Sequence, residues 1–343
     1  MTQPTQSPLT EPSPPPSATP PDSRPAHPYR AFTIRAGLGV AVVAALLWHY
    51  DARPVFRILS RERPAYFALV VALYVAGQLL CAYRWQLLSE ILKVHARLSE
   101  FVAFTFVGMF TNLFVPGMLA GDAARAIYLG RPRNRMGEAV ASVVADRVVG
   151  LVGLFWLAAA SAIFLNYAPL PPSVITPTIL VGALSLLGFL ASPILARLIP
   201  VMPRPIRRAG GFVAPYLHRP WSLLIPIALS IALQMVLAVG QYWLAVGLGL
   251  STPLSLFLLC VPIANVVASL PLTLNGLGIR ESAYLVLFGM AGMGKDDAIA
   301  LGLLWFAAMI ISGLMGGIAF VTTPAPSALP KAAGIAPSTL SSQ

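Results

Sequence analysis

The chain has 343 residues, of which 57% are hydrophobic and only 10% charged, with a mean hydropathy of +0.77. A soluble protein carries roughly a quarter charged residues, so this composition excludes an ordinary soluble domain and specifies an integral membrane protein. The net charge of +11 does not point to nucleic acid, because the arginines sit in loops between apolar runs, with no basic helix or aromatic stacking platform beside them.

Residues 1–30 open the chain with a Pro- and Ser-rich tail, "MTQPTQSPLTEPSPPPSATPPDSRPAHP" and two further residues. Such a composition cannot bury apolar surface and predicts disorder. It also lacks the apolar core and small-residue cleavage site of a signal peptide. Residues 31–322 form the expected membrane domain, and 323–343 read as a second loose tail.

Apolar runs fall at 34–50, 65–83, 99–117, 139–165, 174–198, 221–249, 254–274, 278–293 and 297–322. Their fold class is all-α: a polytopic bundle of about 7–9 hydrophobic segments. Tyr83, Arg84 and Trp85 read as an interfacial belt closing the second run. The 99–117 and 278–293 runs are poor simple spans, since the first ends in Pro116-Gly117 and the second is short. They are candidates for broken or re-entrant segments, which survive in a bilayer only where protein or a wet cavity shelters the backbone.

Loop charge sets the orientation. The 118–138 loop holds Arg125, Arg131, Arg133 and Arg135, and the 199–220 loop holds Arg204, Arg207, Arg208 and Arg219. The loops at 166–173 and 250–253 hold no Lys or Arg. The positive-inside rule makes the first pair cytoplasmic, in a multi-pass protein of the cytoplasmic (inner) membrane. The side of the N-terminus stays open: Arg53, Arg57, Arg61 and Arg63 favour a crossing at 99–117, whereas Arg24, Arg30, Arg35, Arg84, Lys93 and Arg97 favour re-entry.

One element recurs. Pro116, Gly121 and Arg125 in "VPGMLAGDAAR" match Pro271, Gly276 and Arg280 in "LPLTLNGLGIR" at identical spacing, each after an apolar run holding an asparagine, Asn112 or Asn265. Matched breaks in two halves are the sequence pointer to a binding site between inverted repeats of a transporter. The prolines end or kink the incoming helix. Gly117, Gly121, Gly276 and Gly278 allow close backbone approach. Asp122, or Asn275 in the second copy, is placed to cap the next helix. Free amides, a helix dipole and Arg125 or Arg280 together suit a phosphate. Ordinary surface loops with snorkelling arginines are the competing reading.

"AVASVVADRVVG" then puts Asp146 and Arg147 inside an apolar run, where each charge costs about 2.5–3.5 kcal/mol near mid-helix. They point about 100° apart, so they do not simply neutralise each other. Asp146 shares a face with Ser142 and Gly150 and should meet an arginine from another helix, Arg125 or Arg280 being the candidates. A structural pair near the cytoplasmic end is the alternative. Glu281 follows Arg280, with Tyr284 within helical reach. Gln234 and Gln241 lie two turns apart on one face, as a polar stripe or as plain interhelical hydrogen-bond partners.

Cys81 and Cys260 are far apart, and the four histidines are scattered near span ends, so neither a disulfide framework nor a metal site is expected. No phosphate loop for ATP is present. No catalytic constellation and no cofactor are expected.

Three motifs in order, "NLFVPGMLAGDAARAIYL", "AVASVVADRVVGLVGL" and "SLPLTLNGLGIRES", resemble the membrane region of lysylphosphatidylglycerol synthases and its stand-alone flippase-like relatives. The resemblance covers roughly 35–322. Ala120 replaces the first glycine of the family's Gly-Gly-Asp, and "LGLLWFAAMIIS" lacks an arginine often found in the last helix. The resemblance implies a domain that moves a lipid or lipid-linked molecule between leaflets. Its site residues would be Asn112, Pro116, Gly117, Gly121, Asp122, Arg125, Asp146, Arg147, Pro271, Asn275, Gly276, Gly278, Arg280 and Glu281. The arginines would hold phosphate, and Asp122, Asp146 and Glu281 would balance them or take a coupling proton. The bifunctional synthases continue into a soluble aminoacyl-transfer domain. Only residues 322–343 follow Val321 here, so aminoacyl-lipid synthesis is not expected. The partners implied are membrane lipids bearing phosphate or a lipid-linked headgroup, with a lipid- or glycan-synthesis enzyme as a candidate protein partner. An accessory membrane subunit of such a system and an intramembrane lipid-modifying enzyme are the other readings. The oligomeric state is not encoded in any motif.

Overall fold

The computed structural model describes residues 63–114, 119–165, 170–201, 203–269 and 279–323. The 34–50 run, both tails, and Pro116, Gly117, Pro271, Asn275, Gly276 and Gly278 lie outside the described residues, as does the Glu281 side chain. Among the described residues the protein is all-α. The helices are α1 (Pro64–Ile91), α2 (Leu98–Phe114), α3 (Leu119–Gly130), α4 (Met136–Phe164), α5 (Pro172–Leu198), α6 (Arg204–His218), α7 (Leu224–Gly247), α8 (Leu254–Ala268), α9 (Ile279–Met290) and α10 (Lys295–Thr322). Among the described residues, five stretches are long and apolar enough to cross a bilayer: Pro64–Ile91, Met136–Phe164, Pro172–Val201, Pro220–Gly247 and Lys295–Thr322. Helix α5 turns Leu184, Leu187 and Ile194 outward, each more than half exposed. In an integral membrane protein that face meets lipid, not water.

Helices α1–α4 and α7–α10 repeat one plan. Their lengths run 28, 17, 12 and 29 residues against 24, 15, 12 and 28. The contacts match as well. Helices α1 and α7 pack together at the centre, α2 lies against α10, and α8 lies against α4. Even the stops agree. The turns after α1 and α7 place Lys93 (φ 58) and Gly249 (φ 79) in the left-handed region, and those before α4 and α10 do the same with Asn134 (φ 52) and Gly292 (φ 87). In all four, the next amide donates to a carbonyl five residues back: Val94 to Ser89, Leu250 to Ala245, Arg135 to Gly130 and Met293 to Phe288. This is the left-handed stop that closes orphan helix carbonyls.

The two halves run in opposite directions. Tyr66 near the start of α1 stacks on Trp243 near the end of α7 (5.6 Å), while Arg84 near the end of α1 bonds Ser230 near the start of α7. In the first half, α2 and α3 fold back as a hairpin. Arg133, just past α3, donates to Glu100 at the start of α2 (2.8 Å) and to the His95 carbonyl (3.0 Å), so both ends of the hairpin meet at one end of the bundle. In the second half, Phe257 near the start of α8 packs on Phe288 near the end of α9 (5.1 Å). Each hairpin therefore directs the end of its first helix and the start of its second inward.

Within 118–138 lies α3, the helix expected after the Pro116–Gly121 element, whereas 199–220, read from its charge as a loop, contains α6. Helix α6 is amphipathic and not apolar, which is why hydropathy does not reveal it. Tyr216 holds it to the bundle by donating to the Leu88 carbonyl (2.8 Å), and burial pushes this phenol up, so it stays a neutral donor. Phe212 fits over Gly137, where a side chain would collide with its ring. These contacts put α6 beside the end of α1 and the start of α4, with Arg131, Arg133 and Arg135. Both basic segments thus lie at the same end of the bundle, as their charge requires.

Candidate functional site

The facing parts of α2 and α3 create the site. Helix α2 carries Gly108 and Asn112, and α3 brings Gly121 against them so closely that a Cβ on Gly121 would run into the Gly108 carbonyl. The Asn112 Oδ1 accepts from the Gly121 amide at 2.7 Å. Asn112 therefore satisfies an early amide of α3, the task sequence reading gave to Asp122. Asp122, in the first turn of α3, is left free to pair with arginines.

Asp146 is the centre of the charge network and is 1% exposed. Its Oδ1 accepts from Arg84 Nε at 2.8 Å and its Oδ2 from Arg125 Nη2 at 2.9 Å. Arg84 also donates to Ser230 Oγ at 3.0 Å, and Arg125 lies over the Trp85 ring with its guanidinium carbon 4.2 Å from the centroid. Trp85 is fixed in turn by its indole N–H to Ser142 Oγ (3.0 Å) and by edge packing on Phe101. Ser142, Asp146 and Gly150 do share the buried face of α4, and Gly150 leaves room for the Arg84 guanidinium, 3.7 Å from where a Cβ would stand. Arg147 points the other way and grips Asp122 with two bonds, Nε at 2.7 Å and Nη2 at 3.0 Å. Arg125 Nη1 comes within 3.5 Å of Asp122, closing the chain Arg84–Asp146–Arg125–Asp122–Arg147.

Two expectations are corrected. Arg84 and Trp85 are not an interfacial belt: they are 5% and 0% exposed, and only Tyr83 faces outward. The physical reason is that α1 continues to Ile91, two turns beyond the apolar run, which carries both residues inside the bundle. Arg280 is not the partner of Asp146; its Nη1 instead lies 2.8 Å from Met309 Sδ. Arg84, absent from the sequence-derived set, takes that place.

These residues surround one cavity of about 490 Å³. Its described lining brings together Asn112, Gly121, Asp122, Arg125, Asp146, Arg147 and Arg280 of the expected set, and adds Arg84. Four arginines stand there against two aspartates. Gln234 reaches the cavity wall, whereas Gln241, one face of the supposed polar stripe, is fully buried away from it. Arg125 Nε, Arg280 Nε, Gln234 Oε1 and Thr105 Oγ1 have no hydrogen-bond partner among the described residues. An arginine surplus with unused donors is suited to an anion.

A family profile described as the lysylphosphatidylglycerol synthase TM region matches residues 33–317. A UPF0104 membrane protein of Methanothermobacter thermautotrophicus is 22% identical over 327 residues, covering 85% of this chain and 93% of that protein. No solved structure matches at a significant level.

Proposed function

The chain belongs to the lysylphosphatidylglycerol synthase TM region family, and from that membership and the cavity we propose that it is a lipid transporter that moves a phosphate-bearing lipid or lipid-linked molecule between leaflets. The observation that carries this reading is the excess of four arginines over two aspartates in the described lining of a cavity walled by apolar helices. Unpaired charge inside a bilayer is costly and marks a substrate path.

In this reading α2–α3 is a re-entrant hairpin from the cytoplasmic side of the cell membrane, and α8–α9 is its counterpart from the opposite side. Helix α2, with 17 residues, is about 26 Å long, short of the roughly 30 Å hydrocarbon core. A lipid headgroup would enter between the hairpin breaks, exchange water for guanidinium donors, and leave on the far side when the two halves rock against each other. Pro116, Gly117, Pro271, Asn275, Gly276, Gly278 and Glu281 would belong to the same site, as the repeated sequence element leads us to expect. The protein acts without bond chemistry. Any lipid- or glycan-synthesis enzyme that works with it would supply or consume the lipid it moves.

The test is headgroup accessibility of a fluorescent phosphate-bearing lipid in proteoliposomes. Wild type exposes inner-leaflet probe to an outside quencher faster than empty vesicles do, and Arg125→Ala plus Arg280→Ala abolishes the difference. Equal rates for wild type, variant and empty vesicles refute the reading.

A further inference from the structure

We infer that residues 197–225, with α6 at their centre, form a docking surface for the anionic headgroup plane of the cytoplasmic leaflet. This surface lies on the outside of the bundle and is independent of the cavity. The segment holds Arg197, Arg204, Arg207, Arg208 and Arg219 and no acidic residue, and no Asp or Glu occurs anywhere from 148 to 280. Arg197, Arg204, Arg207 and Arg219 are exposed, and among the described residues none of them enters an ion pair. The neighbouring basic segment differs, since Arg133 and Arg135 are paired with Glu100 and Glu138 at 2.8 and 2.9 Å. Residues 1–62 bring six arginines against four acids, and 324–343 bring Lys331 and no acid, so neither end of the chain is a source of net negative charge. The counter-charge of the α6 segment is left to a partner.

Apolar side chains on the same segment say what kind of partner this is. Ile194, Leu198 and Val201 carry the lipid-facing side of α5 straight into it, and Trp221, Leu224 and Ile225 continue that side at the start of α7, all of them exposed. Trp221 is 68% exposed and packs edge-on against Phe189 of α5, with ring centroids 6.3 Å apart. Helix α6 is thus entered and left through lipid-facing residues, which sets it in the interfacial plane. Between those flanks Phe212 and Val213 are exposed among Arg204, Arg207 and Arg219. A basic amphipathic helix with apolar flanks and a tryptophan at its edge has the composition of a helix lying in an anionic headgroup layer. Hydrocarbon alone would strand the arginines, and a soluble acidic partner would leave the flanks in water. The headgroup plane meets both demands.

Docking reaches the interior through two contacts of α6. Tyr216 donates to the Leu88 carbonyl of α1, and Phe212 covers Gly137 of α4. Those two helices carry Arg84 and Asp146, bonded at 2.8 Å. An anionic leaflet therefore steadies the helix ends beside the buried charge network.

The experiment follows amide hydrogen exchange of the full chain in nanodiscs, read by mass spectrometry on peptides covering α6, with α10 as internal reference. One disc is phosphatidylcholine alone and the other mixes in phosphatidylserine. Exchange in α6 should be at least about fivefold slower in the anionic disc, the factor that a single arginine near an anionic surface contributes. The difference should vanish in about 1 M salt, where the screening length falls to about 3 Å. It should vanish also in the triple variant Arg204→Gln, Arg207→Gln, Arg219→Gln, and persist when the same three become lysine. Unchanged exchange in α10 shows that each variant is folded. Arg280→Gln, inside the cavity, should leave the difference intact, and its loss there would trace the effect to a cavity lipid and overturn the inference. Equal exchange in α6 in the two discs overturns it too. Protection by added polyglutamate in neutral discs, with none from phosphatidylserine, would give the surface to an acidic protein instead. Protection seen only when two chains share a disc would give it to a second copy, which also contradicts docking on lipid.

Discussion

Arg125 donates to Asp146 across 2.9 Å, from one helix that begins inside the bundle to another that crosses it. That bond ties the broken hairpin to α4, and Arg84 completes it from α1. Three helices thus meet on one carboxylate that is 1% exposed. Removing one member of a buried ion pair leaves the other uncompensated and typically costs about 3–5 kcal/mol. Arg84→Gln and Asp146→Asn should each lower the melting temperature in detergent strongly. The double variant should lose less than the sum, because both changes remove the same Arg84–Asp146 bond, while Arg125 keeps Asp146 paired in Arg84→Gln. Additive losses would show that the two groups do not interact.

Arg147 and Asp122 form the other pair, and here the expectation is different. Arg147 lines the cavity with a side chain 43% exposed, and where that cavity holds water the pair is screened as a surface pair is and contributes about 0–1 kcal/mol. Arg147→Gln should therefore leave melting nearly unchanged. It also frees Asp122 to draw Arg125 closer, and lipid movement in proteoliposomes should slow by several-fold. A large melting loss would reassign Arg147 to the structural core.

Gly121 should be intolerant where Gly289 is indifferent. A Cβ at Gly121 meets the Gly108 carbonyl and the Asn112 amide, whereas at Gly289 nothing lies within 4 Å. Gly121→Ala should cost about 1–3 kcal/mol through overpacking and spread α2 from α3. Gly289→Ala, at an exposed helical site, should be neutral or stabilising by up to about 1 kcal/mol. Melting curves of the two variants side by side decide it.

Trp85 combines packing with a cation contact, lying under Arg125 and donating to Ser142. Trp85→Leu should cost about 3 kcal/mol from lost burial. Trp85→Phe keeps the ring but not the N–H, and leaves Ser142 Oγ its own bond to the Ala139 carbonyl (2.8 Å), so its loss should be near 1 kcal/mol. Thermal melting checks both, and equal losses would deny the ring any part in holding Arg125.

Much of this site is legible in the sequence because its chemistry is confined to apolar runs. A charge such as Asp146 among valines has to be explained by a partner, and the Pro-Gly-Arg spacing marks Arg125 and Asp122 beside it. Arg84 was hidden by its neighbours. "YRWQLLSE" looks like the polar edge of a span, and only the continuation of α1 to Ile91 turns it inward. The signal that was present is Cys81, Trp85 and Leu88 at helical spacing, which extends the apolar face past Arg84. Helix α6 escaped for a different reason, since its apolar residues form a narrow stripe that an average over the segment conceals. The second Pro-Gly element, apart from Arg280, lies outside the described residues. The symmetry of the halves therefore rests on helix lengths, stops and packing and not on that motif.

The central claim is that a lipid headgroup occupies the arginine cavity, and headgroup photolabelling measures this most directly. Phosphatidylglycerol carrying a photoreactive headgroup is cross-linked in proteoliposomes and the adducts are mapped by mass spectrometry. The account predicts adducts on the cavity wall at Met109, Leu113, Leu151 and Met309, lost in Arg280→Gln. Adducts confined to the outward face of α5, at Leu184, Leu187 and Ile194, and unchanged by that substitution, would contradict it.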